Sequence, residues 1–353
     1  MSFEEALRTV LESAHRLDNE RIDIAYALHR ILAEDVESDS DIPPCDKAIF
    51  DGYACRREDL ANELAIVETI RAGTRSEKTI GPNQCAKIMT GAPVPKGADC
   101  AIMVEFTENP TDKTVRFVGE KTDDNIRRQG EDIRAGQVVL LKGIRIRPQH
   151  IAVLASVGKT QILVAKRPKV AVIATGDELV EPTLKPAPWQ LRNSNSPQLI
   201  AQLERVGAIA TDYGIARDTA DDIDRIFKRA AAESDVVLIS GGVSMGDFDL
   251  VPGILKENDI ELLFKKIALK PGKPTVFGVS EKIYCFGVPG NPVSTFVVFE
   301  LLIKPFLYRL MGHDYKSVNV QMPLEETIKR KDTERLGWIP VIITDVGSLK
   351  HIE

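Results

Sequence analysis

Lys270 and Lys273 bracket Pro271-Gly272, so a stiff loop can aim two ammonium groups at one anion. Asp247 and Asp249 close the stretch Ser240–Asp249, SGGVSMGDFD. Within it Gly241-Gly242 lets the backbone turn sharply and approach a ligand, because neither residue carries a Cβ. Glu178, in Thr175-Gly176-Asp177-Glu178, and Asp218 add further carboxylates. Pro289-Gly290-Asn291-Pro292 makes a tight turn into a helix whose free N–H groups carry positive potential, with Ser294 in its first turn. Lysines for an oxyanion beside carboxylates for Mg²⁺ is the arrangement that phosphate-ester chemistry requires. GxxxxGK[ST], GxGxxG and GxSxG are all missing, which speaks against a P-loop NTPase, a nicotinamide dehydrogenase and an α/β-hydrolase.

The elements that must position these groups alternate in type. Val170–Ala174, Thr211–Ala216, Val236–Ile239, Thr275–Val279 and Ile283–Val288 read as strands. Between them the spacing predicts a helix with Leu199, Ile200, Leu203 and Val206 on one face, capped by Ser194 or Asn195 and stopped by Gly207. A second has Ile223, Ile226, Phe227 and Ala230 on one face and starts at Asp218 or Thr219. Repeated β-α units of this length imply a mainly parallel sheet covered on both faces, with ligands at the carboxyl ends of its strands. All four polar loops then converge at one edge.

Upstream the signals differ. Ser2 with Glu5 forms a capping box ahead of Phe3, Leu7, Val10 and Leu11, and a second helix is expected over Ile24–Ala33. Pro43-Pro44 among acids marks a domain crossing. From there to about Gly136 short β-type runs such as Leu64–Ile70 and Ala101–Phe106 predominate, punctuated by Gly and Pro. This β-rich part holds three polar clusters, around Asp51, Thr90 and Asp132. Asp51-Gly52 would ordinarily be read as a hairpin turn, and Arg127-Arg128 as a solvated pair that could also hold a phosphate. The expected division is an elongated discontinuous scaffold domain (1–42 and 137–166), a β-rich inserted domain (43–136), an α/β domain (167–313) and a short C-terminal β segment (314–353).

A chain of 353 residues with 43% hydrophobic and 28% charged content can bury several cores. Its net charge of −6, with no long basic run, argues against nucleic-acid or anionic-membrane partners. There is no 18-residue apolar span, and Met1-Ser2-Phe3-Glu4-Glu5 is unlike a signal peptide. Five cysteines without CxxC spacing point to a reducing cytoplasm and away from structural zinc. The five scattered histidines leave carboxylates as the expected ligands of any metal.

Seven segments together resemble the MoeA family of molybdopterin molybdenumtransferases, which is similar also to the E domain of gephyrin. They are Phe50-Asp51-Gly52-Tyr53-Ala54, Met89–Asp99, Gly130-Glu131-Asp132-Ile133, Thr175–Leu179, Ser240–Asp249, Lys270–Pro274 and Pro289–Ser294, in order and spacing from about residue 3 to 313. The resemblance implies a multidomain α/β fold in a homodimer with a composite site. The implied reaction takes adenylylated molybdopterin and molybdate to molybdenum cofactor and AMP, with Mg²⁺, and the implied partner is the molybdopterin adenylyltransferase. Carried over by position, Asp51, Asp132, Asp249, Lys270 and Lys273 are the implied catalytic residues, with Asp247 and Asp249 at the metal. Thr90, Glu178, Asp218, Gly241, Gly242, Ser244, Pro289, Asn291 and Ser294 are the implied substrate contacts. Asp51, Thr90 and Asp132 would reach the pocket across the dimer interface. The sequence departs where the family has Asn-Ser-Ala-Met before Asp51, here Lys47-Ala48-Ile49-Phe50, and in a tail after Gly312 that is only about half the family's C-terminal domain. Those departures favour the alternative, a non-catalytic pterin- or nucleotide-binding relative or a gephyrin-like scaffold.

Overall fold

The computed structural model describes residues 1–243, 250–325, 327–328, 334–345, 347 and 349–351. The chain divides into two compact units. One contains Met1–Glu34, Lys142–Arg147 and Gln161 onward; the other contains Asp35–Leu141 and Pro148–Thr160.

The first unit opens with α1 (Phe3–Glu12). Ser2 Oγ accepts the Glu5 N–H at 3.1 Å and Glu5 Oε2 accepts the Ser2 N–H at 2.8 Å, so two otherwise unpaired donors are met reciprocally. The core of the unit is a six-stranded sheet. In chain order its elements are β1 (Lys169–Thr175), α2 (Asn195–Val206), β2 (Ile209–Ala216), α3 (Ala220–Glu233), β3 (Val236–Ser240), α4 (Val251–Glu257), β4 (Glu261–Phe264), β5 (Val276–Val279), β6 (Tyr284–Val288), α5 (Pro292–Val298) and α6 (Lys304–Leu310). The strand order is β2-β1-β3-β6-β5-β4.

Alternation along each strand divides the core. Val170, Val172, Val236 and Leu238 face a cluster with Phe3, Leu199, Phe286 and Phe306. Ala171, Ile173, Val237 and Ile239 face Ile223, Phe227, Val251 and Leu255 on the opposite side. Burial on both faces is why these strands read as unbroken aliphatic runs. The first cluster is closed by aromatic contacts, with the Phe277 and Phe286 centroids 4.6 Å apart and Tyr284 edge-on to Phe306 at 4.9 Å.

Four neighbouring strands are parallel, as the β-α repeats predict, but β5 pairs antiparallel with both β6 and the edge strand β4. The connection from β5 to β6 is too short for a crossover, and Ser280 N–H donates to Ile283 O across it. The helix from Pro292 continues through a π segment at Phe299–Ile303 into α6.

The expected helix over Ile24–Ala33 is absent. A 3₁₀ turn covers only Ile24–Tyr26, capped by Asp23, whose Oδ1 accepts the Ala25 N–H at 2.8 Å. His29 follows at φ 67°, and Ile31 and Leu32 are extended, bridging Arg145 and Val164. The apolar residues there do not share one face. Tyr26 and Leu28 are exposed whereas the neighbours Ile31 and Leu32 are both buried, a pattern an amphipathic helix cannot satisfy.

The second unit is built on a six-stranded mixed sheet. Its order is Cys100–Met103, Gly52–Cys55, Gln84–Ile88, Glu63–Ile70, Thr114–Phe117 and Thr107–Thr111, with only Glu63–Ile70 and Gln84–Ile88 parallel. Two small cores flank it, one around Ile70, Ile88 and Ala101, the other around Tyr53, Leu64 and Ile102. A short helix spans Pro148–Ser156. Among the described residues no helix is long and apolar enough to cross a membrane.

Candidate functional site

Loops after β1, β3 and β6 surround a cavity of about 670 Å³ in the first unit. Its walls include Thr175, Glu178, Arg192, Asn193, Asn195, Asp218, Ser240 to Val243, Pro274 and Pro289 to Pro292. The size suits a small-molecule ligand, and the place is where open α/β sheets bind one.

Each loop is pinned to the next. Thr175 Oγ1 donates to Asp218 Oδ1 at 2.6 Å. The Asp177 N–H donates to Asp218 Oδ2 at 3.3 Å, and the Asp218 N–H returns a bond to Asp177 Oδ1 at 3.2 Å. The loops leaving β1 and β2 are thereby clasped by reciprocal carboxylate–amide bonds. Gly241 sits at φ 103° and its N–H donates to Val288 O at 3.1 Å. A Cβ there would lie 2.4 Å from Thr175 O, so strands β1 and β3 can end this close together only around glycine. Asn291 caps α5, accepting the Ser294 N–H at 3.2 Å, and Thr295 Oγ1 donates to Pro289 O.

Asn195 ties two walls together. Its Nδ2 donates to Ser240 Oγ at 2.7 Å and to Gly290 O at 2.8 Å. A carbonyl only accepts, so the amide cannot be turned the other way. The adjacent Asn193 is buried, accepting the Ser196 N–H at 3.1 Å and donating to Ser196 Oγ at 2.9 Å.

Of the residues picked out from the sequence, Glu178, Asp218, Gly241, Gly242, Pro289, Asn291 and Ser294 meet at this cavity. Lys270 and Lys273 are not among its described lining residues, although their neighbour Pro274 is. Both lysines are exposed. Ser244, Asp247 and Asp249 lie outside the described residues. Asn195, Asn193 and Arg192 line the cavity but are not among the site residues expected from the sequence, because Asn after an extended stretch and before a helix reads as a cap. The sequence signal available was an Asn at the site of a required cap with a second Asn two residues earlier. Among the described residues no group of three His, Cys, Asp or Glu side chains could hold a metal ion.

Asp51, Thr90 and Asp132 belong to the second unit. Asp51 is not in a hairpin turn. It precedes the strand Gly52–Cys55, and its Oδ1 accepts both the Thr90 N–H at 2.7 Å and Thr90 Oγ1–H at 2.8 Å. The backbone bond, then the hydroxyl bond, hold this carboxyl below the usual aspartate range. A depressed pKa contributes stability above the unfolded value that is lost as pH falls through the folded one. In a carboxyl-carbon NMR titration Asp51 should therefore turn over below an ordinary aspartate, and in Thr90→Val its midpoint should rise part of the way back. An ordinary midpoint in the wild type would remove the clasp. Asp132 is ion-paired with Arg127, and Arg128 reaches Asp46 at 2.9 Å and Asp124 at 2.8 Å. These guanidinium groups are engaged by local carboxylates and take the solvated reading.

All five cysteines are free thiols. Burial pushes Cys85 up to about 12 and raises Cys285 as well, so neither is a thiolate nucleophile at neutral pH. A groove of about 470 Å³ also runs between α1 and α6, past Leu7, Arg8, Arg309 and Tyr315.

Two family models match the chain. One, for the MoeA N-terminal region (domain I and II), covers residues 1–158, and the other, described as a probable molybdopterin binding domain, covers residues 171–309. The molybdopterin molybdenumtransferase of Staphylococcus epidermidis is 41% identical over 357 residues, covering 98% of this chain and 85% of that protein. Its namesake in Bacillus subtilis is 36% identical over 315 residues, covering 86% of this chain and 73% of that one. The crystal structure of a molybdopterin biosynthesis MoeA protein from Pyrococcus horikoshii matches with a TM-score of 0.85 at 31% identity, over 100% of this chain and 90% of that one.

Proposed function

The chain belongs to the MoeA family, the molybdopterin molybdenumtransferases of molybdenum cofactor biosynthesis, and from that premise we propose that it inserts molybdenum from molybdate into adenylylated molybdopterin and releases AMP. The observation that carries this reading is the cavity at the carboxyl ends of β1, β3 and β6, large enough for a pterin and walled by clasped polar loops.

The residues divide by chemistry. Asn291, Ser294 and the glycine backbone at 241–242 orient an uncharged, hydrogen-bonding ring system in the cavity, whose wall Asn195 braces. Lys270 and Lys273 have no ion-pair partner among the described residues, which leaves both ammonium groups available to an oxyanion such as molybdate. A loop of cations is what a tetrahedral dianion requires, because each charge-assisted bond is about twice as strong as a neutral one. Magnesium belongs to this reading through Asp247 and Asp249. The described carboxylates alone do not supply its ligand set: Asp218 is committed to Thr175 and Asp177.

The same reading includes a homodimer in which Asp51, Thr90 and Asp132 serve the partner's cavity, and handover of substrate from the molybdopterin adenylyltransferase. The buried, unpaired thiols suit a reducing cytoplasm. The test is transfer itself. Purified protein given adenylylated molybdopterin and molybdate should yield a product that activates a molybdenum-requiring apoenzyme. Product that never activates it, from substrate the protein does bind, would remove the proposed reaction.

A further inference from the structure

Arg192 is the one positively charged side chain among the described residues that line the cavity, whose other charges there are Glu178 and Asp218. An anionic ligand entering past two carboxylates needs a counter-charge on the wall. Arg192 is built to supply it. Its backbone is fixed by a short parallel pairing, Leu179 with Leu191 and Val180 with Arg192. The Leu191 N–H donates to Glu178 O at 2.8 Å and the Asn193 N–H to Val180 O at 2.9 Å. The side chain is held as well, Nε–H donating to Leu184 O at 2.9 Å. Among the described residues its two Nη nitrogens meet no acceptor and no carboxylate pairs with the group. An arginine oriented through Nε, with both Nη groups free, presents the planar fork that phosphate oxygens match.

Three residues on, Asn195 braces the same wall: it is only 8% exposed, and its Nδ2 donates to Ser240 Oγ at 2.7 Å and to Gly290 O at 2.8 Å. The segment Arg192 to Asn195 is thereby anchored on its inner side and presents to the cavity a guanidinium that lacks an oxyanion among the described residues.

We propose that Arg192 binds a phosphate group of the substrate at the cavity wall. This rests on the reaction proposed above, and it separates the phosphate from the molybdate, which falls to the lysine loop.

Calorimetric titration of the wild type, Arg192→Gln and Arg192→Lys with AMP, adenosine and molybdate tests it. AMP carries the phosphate; adenosine lacks only the phosphate. The wild type should bind AMP more tightly than adenosine. Arg192→Gln should lose about tenfold for AMP, about 1.4 kcal/mol, with adenosine and molybdate unchanged, and its AMP affinity should become less sensitive to salt. Arg192→Lys should fall between, keeping charge without the fork. The proposal is overturned by equal AMP affinity in wild type and Arg192→Gln, by an equal loss for adenosine, which would mark a structural role, or by a wild type that does not prefer AMP. Failure of the proposed reaction would look different: no molybdate-dependent AMP release from a wild type whose AMP preference is intact.

Discussion

Gly52→Ala is expected to unfold at a midpoint on the order of 10 °C below the wild type, the largest stability effect of any single methyl in the second unit. A Cβ on Gly52 would lie 1.9 Å from Ile102 O and 2.8 Å from Ile102 C. Both are backbone atoms of the neighbouring strand, in register Gly52 with Met103 and Tyr53 with Ile102. No rotamer change relieves that overlap. The strands themselves must part, in a segment where Gly52 to Cys55 are all buried. Overpacking of a core usually costs about 1–3 kcal/mol, and displacement of a hydrogen-bonded strand belongs at or above the top of that range. In a unit of this size about 3 kcal/mol corresponds to roughly 10 °C. Because Val104 N–H donates to Asp51 O beside the same contact, the Asp51–Thr90 clasp should loosen too. Thermal unfolding followed by circular dichroism decides it, and a midpoint within about 2 °C of the wild type would show that the strands are not held as close as described.

The largest effect on activity is expected from mixing two inactive proteins. Asp51→Ala removes a carboxylate from the second unit, and Lys273→Met removes an exposed ammonium, without an ion-pair partner among the described residues, from the first. Each alone should turn over at a few per cent of wild type or less, on the order of the loss of one charged contact in a transition state. If the two residues serve one site from different subunits, exchange of subunits produces heterodimers with one intact site and one doubly damaged site. Roughly half the wild-type rate per heterodimer should then return, as symmetry requires of two independent sites. Persistent inactivity in a mixture whose subunits have been shown to exchange would place both residues in the same subunit's site, or reduce Asp51 to a structural residue.

What could be read in advance followed from how local the cause was. The capping box at Ser2 and Glu5, the Gly207 stop at φ 98° and the aliphatic run of β3 depend on neighbours within a few residues, and all are as the sequence implies. Ile24–Ala33 shows the opposite case. Its composition suits a helix, but pairing to residues 145 and 164, far along the chain, holds it extended. Gly52 is instructive in the same way: next to Asp51 it reads as a turn, and only a strand nearly fifty residues away reveals why no side chain fits. At the cavity the charged residues drew the eye, whereas Asn195 and Arg192 were hidden because their roles depend on partners at Ser240, Gly290 and Leu184.

The proposed reaction couples molybdate insertion at this cavity to loss of AMP. Purified protein incubated with adenylylated molybdopterin and Mg²⁺, with and without molybdate, should release AMP in step with protein-dependent molybdenum incorporation, and little without molybdate. Substrate that binds yet stays adenylylated in the presence of molybdate would contradict the account and leave a protein that holds the pterin without transforming it.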